Sequence, residues 1–505
     1  MLILTPEQIR KAEERANAAG LTFRKMMENA GKGCADYILK KHRNDVNIVI
    51  LCGKGKNGGD GFVIARRLTD ACKNVTVIKM FDKPSDELSE SRKNLLSSET
   101  ELIVYAKNKL RAADAILKAD IIVDAVFGIG FSGDLPCDVR EINRFCRISS
   151  AVKIAVDLPS GVSVDGTAED CFPADETLSM LCLKREHVYK PYSELCGETA
   201  VIPIGIDLTC SHGLFTLTPT ELFELLPVRP FDSSKGTFGK AAIIAGSKNM
   251  PGAAVIASKG AASSGAGLVC TLCPDICREI ICCTVPECIH LSLPTSENGM
   301  LDAGAVPEIL KALSSCDSAA IGCGLGVSED GDKILDAVLH NFTGTLIIDA
   351  DGINILAKHI DLTENASCTV ILTPHPGEMS RLTGLSTDEI NANREKTASD
   401  FAKKHGVYVL LKGVNTVIAA PDGKCLINTA GSTALSRGGS GDLLTGIIAS
   451  LSAQGLKPFD SLALSAYLHG TAGEIADERF TPYASTVERI TNCLPEAFLR
   501  LYESQ

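Results

Sequence analysis

The sequence predicts an α/β protein of two domains, each built on a largely parallel sheet with helices on its faces. Three observations carry this. Short β-branched apolar runs, such as Asn47–Cys52 and Ile121–Ala125, recur along the chain with helical stretches between most of them, the rhythm that a parallel sheet requires. Two glycine loops, GKGKNGGDG at 53–61 and GSTALSRGGSG at 431–441, each run into a helical pattern. A length of 505 residues gives two such domains enough chain for a full core each.

Composition narrows the function classes. The net charge of −12 argues against a nucleic-acid partner held on a broad basic surface, while leaving room for a local basic pocket for phosphates. The N-terminal MLIL is followed by Thr5-Pro6-Glu7, which lacks the basic start and long apolar core of a secretory signal. No apolar run approaches membrane-spanning length, so no membrane is expected. The 20 cysteines are scattered through apparent strands and helices, which reads as buried reduced thiols and a cytoplasmic location.

Taken in order, Thr5-Pro6-Glu7-Gln8 is a helix start, with Gln8 placed to close a capping box. Ile9, Ala12, Ala16 and Ala19 form its apolar face, and Gly20 ends it. A second helix carries Met26 to Gly31. Asn47–Cys52 then reads as a buried strand, and its glycine loop and the helix 62–71 complete the first unit of a doubly wound fold. The loop lacks the Gly-Lys-Ser/Thr ending of a P-loop. Further strands are expected at 75–80, 102–104, 121–125, 154–156 and 200–203. Two of them end in carboxylates, VDAVFGIG at Asp124 and VDLPSG at Asp157. Ligands bind at the carboxyl ends of strands in open α/β sheets, so Asn57, Asp60, Asp124, Asp157 and Ser160 are expected to converge on one crevice. The competing reading is that each Asp only caps the turn that follows.

KGKNGGDGFVIARRL, VDAVFGIGFSGDL and VDLPSGV resemble the signatures of the NAD(P)H-hydrate epimerase domain, a Rossmann-like doubly wound domain, here at residues 1–212. The resemblance implies a potassium ion on Asn57, Asp124 and Ser160. It implies binding of hydrated NADH or NADPH by Asn57, Gly58, Gly59, Asp60, Gly61, Gly128, Ile129, Gly130, Phe131, Ser132, Gly133, Asp134 and Asp157, with Asp157 also catalytic. Lys56 departs from the pattern, which commonly has a second Asn there.

Residues 206–230 lose the strand–helix rhythm and carry Pro219, Pro227 and Pro230, which places a domain boundary near His212. Strands are read at 241–245, 346–348 and 409–411, with a helix of small residues opening at Pro251. His375, held between two prolines at a strand end, is a plausible site residue, and Lys412 ends a strand where it could reach a phosphate. Cys270 and Cys273 form a CxxC, but in a strand they would point to opposite faces, so the pair reads as structural. In the loop before the helix at Leu443, the backbone of Gly438, Gly439 and Gly441 offers an anion site. Asp442 at that junction is either an N-cap or a proton acceptor for a hydroxyl attacking a phosphoryl group.

KGTFGKAAIIAGS, PGAA, GCGLG, DADGINIL, TPHPGEM, LKG and GGSGDLLTG, in this order, resemble the NAD(P)H-hydrate dehydratase family, a ribokinase-like α/β fold, here at residues 225–505. The resemblance implies an adenine nucleotide held by Lys412, Gly413, Val414, Asn415, Thr416, Ser432, Thr433, Ala434, Leu435, Ser436, Arg437, Gly438, Gly439, Ser440 and Gly441. It implies that Ala253, Gly324, His375 and Asp442 face the hydrate, with Asp442 as the base. Fusion of both domains in one chain looks like the bacterial arrangement, which implies ADP, taken with Mg2+. Together the two resemblances imply an enzyme that epimerises the R and S hydrates of NAD(P)H and dehydrates the S form at the expense of ADP. A homo-oligomer is expected. The alternative is a small-molecule kinase of the ribokinase or hydroxyethylthiazole class with a non-catalytic first domain.

Overall fold

The computed structural model describes residues 1–42, 46–71, 74–82, 87–163, 169–208 and 213–504. The chain divides into two compact units, Met1–Cys210 and Ser211–Gln505. The expected boundary near His212 lies outside the described residues.

Among the described residues the first unit contains seven strands: β1 (Asn47–Cys52), β2 (Asn74–Lys79), β3 (Glu101–Val104), β4 (Ile121–Ala125), β5 (Val152–Val156), β6 (Glu176–Met180) and β7 (Glu198–Ile202). They form one parallel sheet in the order β3-β2-β1-β4-β5-β6-β7. Along β1, Ile48 and Ile50 join one buried cluster while Val49 and Leu51 join another, so both faces are covered and the strand is apolar from Ile48 to Cys52. The strand order reverses between β1 and β4. A ligand crevice opens at the carboxyl ends of such a pair; Asn57 lies in the first turn of the helix that follows β1, and Asp124 at the end of β4. At the N-terminus the capping box forms: Gln8 N donates to Thr5 Oγ1 (3.3 Å) and Thr5 N to Gln8 Oε1 (2.8 Å).

β6 was not legible in the sequence, because it reads ETLSM. Its Thr177 and Ser179 are fully buried and satisfied by carbonyls of Cys196 and Cys182, so polarity hid an interior strand.

The second unit contains β8 (Leu214–Phe215), β9 (Lys240–Ile244), β10 (Leu268–Pro274), β11 (Ile289–Leu293), β12 (Ser318–Ile321), β13 (Thr345–Ile348), β14 (Thr369–Leu372), β15 (Tyr408–Leu411), β16 (Val417–Ala419) and β17 (Cys425–Ile427). Their order is β11-β10-β9-β12-β13-β14-β15-β16-β17-β8, parallel from β11 to β15 and antiparallel across β15, β16 and β17. β8 falls in the stretch read as lacking rhythm; two residues are too few to show a period. Helix Ser440–Ala453 is buried from Leu443 onward and crosses helix Pro251–Ala262 at very close range. A Cβ on Gly446 would sit 2.0 Å from Ala257 O, and one on Gly260 2.6 Å from Leu443 O. The small residues of both helices let the backbones touch, which seats the start of Ser440–Ala453 over the sheet. Among the described residues no helix is long and apolar enough to cross a membrane.

Candidate active sites

In the first unit a cavity of about 520 Å³ opens at the ends of β1, β4, β5 and β6. Asn57, Asp60, the loop from Gly128 to Phe131, and Asp157 all line it. Asp124 and Ser160 lie beneath, both fully buried. Ser160 donates from N (2.7 Å) and from Oγ (2.8 Å) to Asp124, and Ser160 Oγ accepts from Phe127 N (2.9 Å). Burial pushes the Asp124 carboxyl up to about 6, against the lowering effect of the Ser160 and Val126 bonds. Asn57 Nδ2 donates to the carbonyls of Phe127 (2.9 Å) and Val156 (3.1 Å), which ties three strand-end loops together. Among the described residues its Oδ1 is buried with no hydrogen-bond partner. A buried oxygen with nothing to accept from is suited to a cation.

Asp157 is a different carboxylate. It follows β5 with φ +71°, and its Oδ1 lies 2.6 Å from the buried Lys184 ammonium while Oδ2 accepts from Ile129 N at 2.9 Å. Burial alone would raise its pKa; Lys184 outweighs this and holds the carboxyl below the usual range. Lys184 and the adjoining His187 went unassigned in the sequence, since the strand that presents them was not seen.

The other residues expected in this site divide. A Cβ on Gly58 would meet Gly53 O at 2.1 Å, and one on Gly61 would meet Ala125 Cβ at 2.8 Å, so these glycines serve close packing of helix Lys56–Asp70 on the strands. Gly59 faces Met27 and Ser89. Ser132, Gly133 and Asp134 do not line the cavity.

In the second unit Asp442 sits in the first turn of helix Ser440–Ala453. The N-cap is Gly439 (φ +90°), with no side-chain cap bond. The capping alternative for Asp442 is thereby removed: the left-handed glycine starts the helix three residues earlier than a cap at 442 would. Burial, then the charge of Asp349, pushes the Asp442 carboxyl up to about 6. The Cys323 thiol and one oxygen each of Asp349 and Asp442 lie within 4.8 Å of one another. Asp349, at the end of β13, accepts from Lys412 Nζ (2.7 Å) and Thr445 Oγ1 (2.7 Å). Lys412 also approaches Glu378 at 3.8 Å, and burial pushes the Glu378 carboxyl up to about 7. Asp349, Thr445, Cys323 and Glu378 had no assigned role from the sequence. The strand-end acid in IIDADG was visible, but not its distant partner.

His375 caps helix Pro376–Thr383 through its ring: Nδ1 accepts from Gly377 N (3.0 Å) and Glu378 N (3.3 Å). The neutral ring therefore carries its proton on Nε2 and is a donor there. Burial, then the Lys412 charge, lowers its pKa. Gly324 (φ +61°) packs on Ala253: a Cβ there would lie 2.8 Å from that of Ala253.

The expected nucleotide residues form two loops. In the first, Gly413 (φ +150°) lies against the Arg394 guanidinium, Asn415 has φ +54°, Thr416 Oγ1 donates to Gly413 O (3.0 Å), and Val414 is exposed. In the second, Ser432 caps the short turn Thr433–Leu435, Ala434 is buried, and Leu435 packs on Gly473. Ser436 N donates back to Thr433 O, Gly438 is open on its Cα side, and Ser440 Oγ lies 3.1 Å from the buried His469 Nε2. Arg437 is committed to the carbonyls of Ala434 (2.7 Å) and Pro482 (2.6 Å). A Cβ on Gly441 would come within 3.2 Å of Lys412 Nζ, so the helix start and the Lys412–Asp349 pair are neighbours.

A sheet of this order and a glycine-started helix bearing an uncapped acid define the second unit as ribokinase-like. A solved ribokinase-like superfamily protein from Enterococcus faecalis matches 58% of this chain and 98% of its own length at 27% identity, with a TM-score of 0.50. The family model described as NAD(P)H-hydrate dehydratase matches residues 241–496, and that of the YjeF-related protein N-terminus matches 24–186. The bifunctional NAD(P)H-hydrate repair enzyme of Moorella thermoacetica is 35% identical over 95% of this chain and 93% of its own. That of Escherichia coli is 31% identical over 96% and 93%. The chain belongs to the family of bifunctional NAD(P)H-hydrate repair enzymes.

Proposed function

We propose that the two units divide the repair of one damaged cofactor. Hydration of the reduced nicotinamide ring leaves a hydroxyl on a carbon of either configuration. The first unit interconverts the R and S hydrates of NADH or NADPH in the cavity that Asp157 lines. The second unit transfers the terminal phosphoryl group of ADP to the hydroxyl of the S hydrate. Asp442 takes the hydroxyl proton, phosphate then leaves with loss of a proton from the neighbouring ring carbon, and the products are NAD(P)H, AMP and phosphate. The observation that carries this is Asp442 itself: a half-buried carboxyl, raised to about 6, in the first turn of a glycine-started helix and free of any capping duty. His375 offers its Nε2 proton to the hydrate, and Lys412 and the two glycine loops serve the nucleotide.

Two ions belong to this reading. Potassium fits Asn57, Asp124 and Ser160, since Asn57 Oδ1 is a buried acceptor without a partner. It would supply fixed positive charge under the crevice, beside the raised Asp124. Magnesium taken with ADP needs only one or two carboxylates beside the phosphates and water; Asp442 and Asp349 lie together here, and Asp349 is also held by Lys412 and Thr445. A reducing, cytoplasmic setting is supported by every described cysteine being a free thiol. Assembly as a homo-oligomer is part of the same reading, and light scattering of the purified protein tests it.

Incubating the protein with hydrated NADH and ADP should restore the absorbance of the reduced cofactor with release of phosphate. A stable phosphorylated product without that absorbance would instead make the second unit a small-molecule kinase.

A further inference from the structure

The adjacent parallel strands β5 and β6 end in the same unusual way. After β5, Asp157 has φ +71° and Leu158 N donates to Val156 O at 2.9 Å. After β6, Leu181 has φ +69° and Cys182 N donates to Met180 O at 2.8 Å. Three-residue turns with a non-glycine residue at positive φ are strained and persist only where their surroundings hold them. Both turns line the first unit's cavity.

One side chain joins them. Lys184 is 2% exposed and its ammonium has three protons to donate. They go to Asp157 Oδ1 (2.6 Å), Met180 O (2.7 Å) and Ser179 Oγ (2.9 Å). The next turn holds the Asp157 backbone. His187 Nδ1 accepts from Lys184 N (3.0 Å), so the neutral ring carries its proton on Nε2 and donates it to Asp157 O (2.8 Å). Burial, then Lys184, depresses the His187 pKa to about 3, which keeps the ring neutral. With Oδ2 taken by Ile129 N, both Asp157 oxygens and its carbonyl are fixed from three directions.

Resting on the proposed epimerase activity, we propose that Lys184 is a positioning residue for epimerisation: its ammonium clamps Asp157 and the 180–182 turn into one rigid wall, which gives the carboxylate a single orientation toward the hydrate. Lys184 has no proton left over for the substrate. Its contribution runs through Asp157, so it should govern turnover rather than binding.

The test uses the full chain and pure R hydrate, with the wild type in parallel. Lys184→Met fills the same space without the charge. Its kcat for epimerisation should fall about a hundredfold, the scale of a misplaced catalytic group, while KM stays within about threefold. Lys184→Ala should regain turnover when ethylammonium is added, because a small primary ammonium can occupy the vacated site; Lys184→Met, with the site filled, should not. Dehydration of the S hydrate reports that the rest of the chain is intact. A Lys184→Met enzyme with wild-type kcat overturns the proposal, as does one in which only KM rises. So does a folded Lys184→Ala enzyme that ethylammonium leaves unchanged; where that variant does not fold, the Lys184→Met result decides alone. A wild type that does not epimerise would instead remove the epimerase reading on which the proposal rests.

Discussion

Each unit holds an aspartate at its candidate site, buried in the first and half-buried in the second, and they treat it in opposite ways. Asp157 is matched by the Lys184 ammonium at 2.6 Å and is held below the usual carboxylate range. Among the described residues no cation is in hydrogen-bond contact with Asp442; its neighbours include a thiol and the charge of Asp349, and it rises to about 6. In the second unit the available ammonium, Lys412, is spent on Asp349. Where the buried cation goes decides which carboxylate is a fixed anion and which is a base able to exchange a proton near neutral pH.

The largest effect expected from this contrast is on Asp442. Asp442→Asn keeps the size and removes the basic oxygen, so dehydration should fall by about 10²–10⁴-fold in an absorbance assay with ADP. The melting temperature should hardly move, because no partner cation is stranded. Asp157→Asn should show the reverse balance. It leaves the Lys184 ammonium buried and unpaired, which costs about 3–5 kcal/mol, so denaturant unfolding of the first unit should shift strongly. Equal stability losses in the two variants would break the comparison.

The pH dependences should also oppose one another. As a base, Asp442 must be ionised, so dehydration should climb with pH through about 6 and then level. Its folded pKa is raised, so the native state binds the extra proton, and its contribution to stability declines as pH rises from the unfolded value near 3.9 to about 6. Asp157 has a depressed folded pKa. Its contribution is present above about 3.9 and is lost as pH falls through the folded value. Unfolding curves of the two Asn variants against wild type across pH 3–7, in steps of about one unit, separate these signs. The smallest expected effect is ionic. Replacing potassium by tetramethylammonium should slow epimerisation a few-fold and leave dehydration alone, since Asn57 Oδ1 belongs to the first unit; equal slowing of both reactions would move the ion elsewhere.

Much of this was legible in the chain. Strand-end acids and glycine loops located Asn57, Asp60, Asp124, Asp157 and Ser160 near one switch point, because β1, β4 and β5 are apolar runs whose ends are obvious. What failed was local. β6 is polar and buried, so its end was invisible, and Lys184 and His187 with it. The glycines at 58 and 61 were expected as ligand contacts; a Cβ on either would also strike Gly53 O or Ala125 Cβ, a packing need that depends on a helix–strand distance. The resemblance put Arg437 at the nucleotide, and its guanidinium donates to Pro482 O, 45 residues away. Whether Asp442 capped its helix turned on the φ of Gly439, which no residue pattern reveals.

The most direct test follows the R and S hydrates separately by chromatography, with ADP present, in Asp442→Asn and Asp157→Asn. The division of labour predicts that Asp442→Asn interconverts the two hydrates at the wild-type rate and consumes neither. It predicts that Asp157→Asn consumes the S hydrate normally and leaves the R hydrate to its slow spontaneous epimerisation. Near wild-type dehydration by Asp442→Asn, or loss of both reactions in either folded variant, would contradict it.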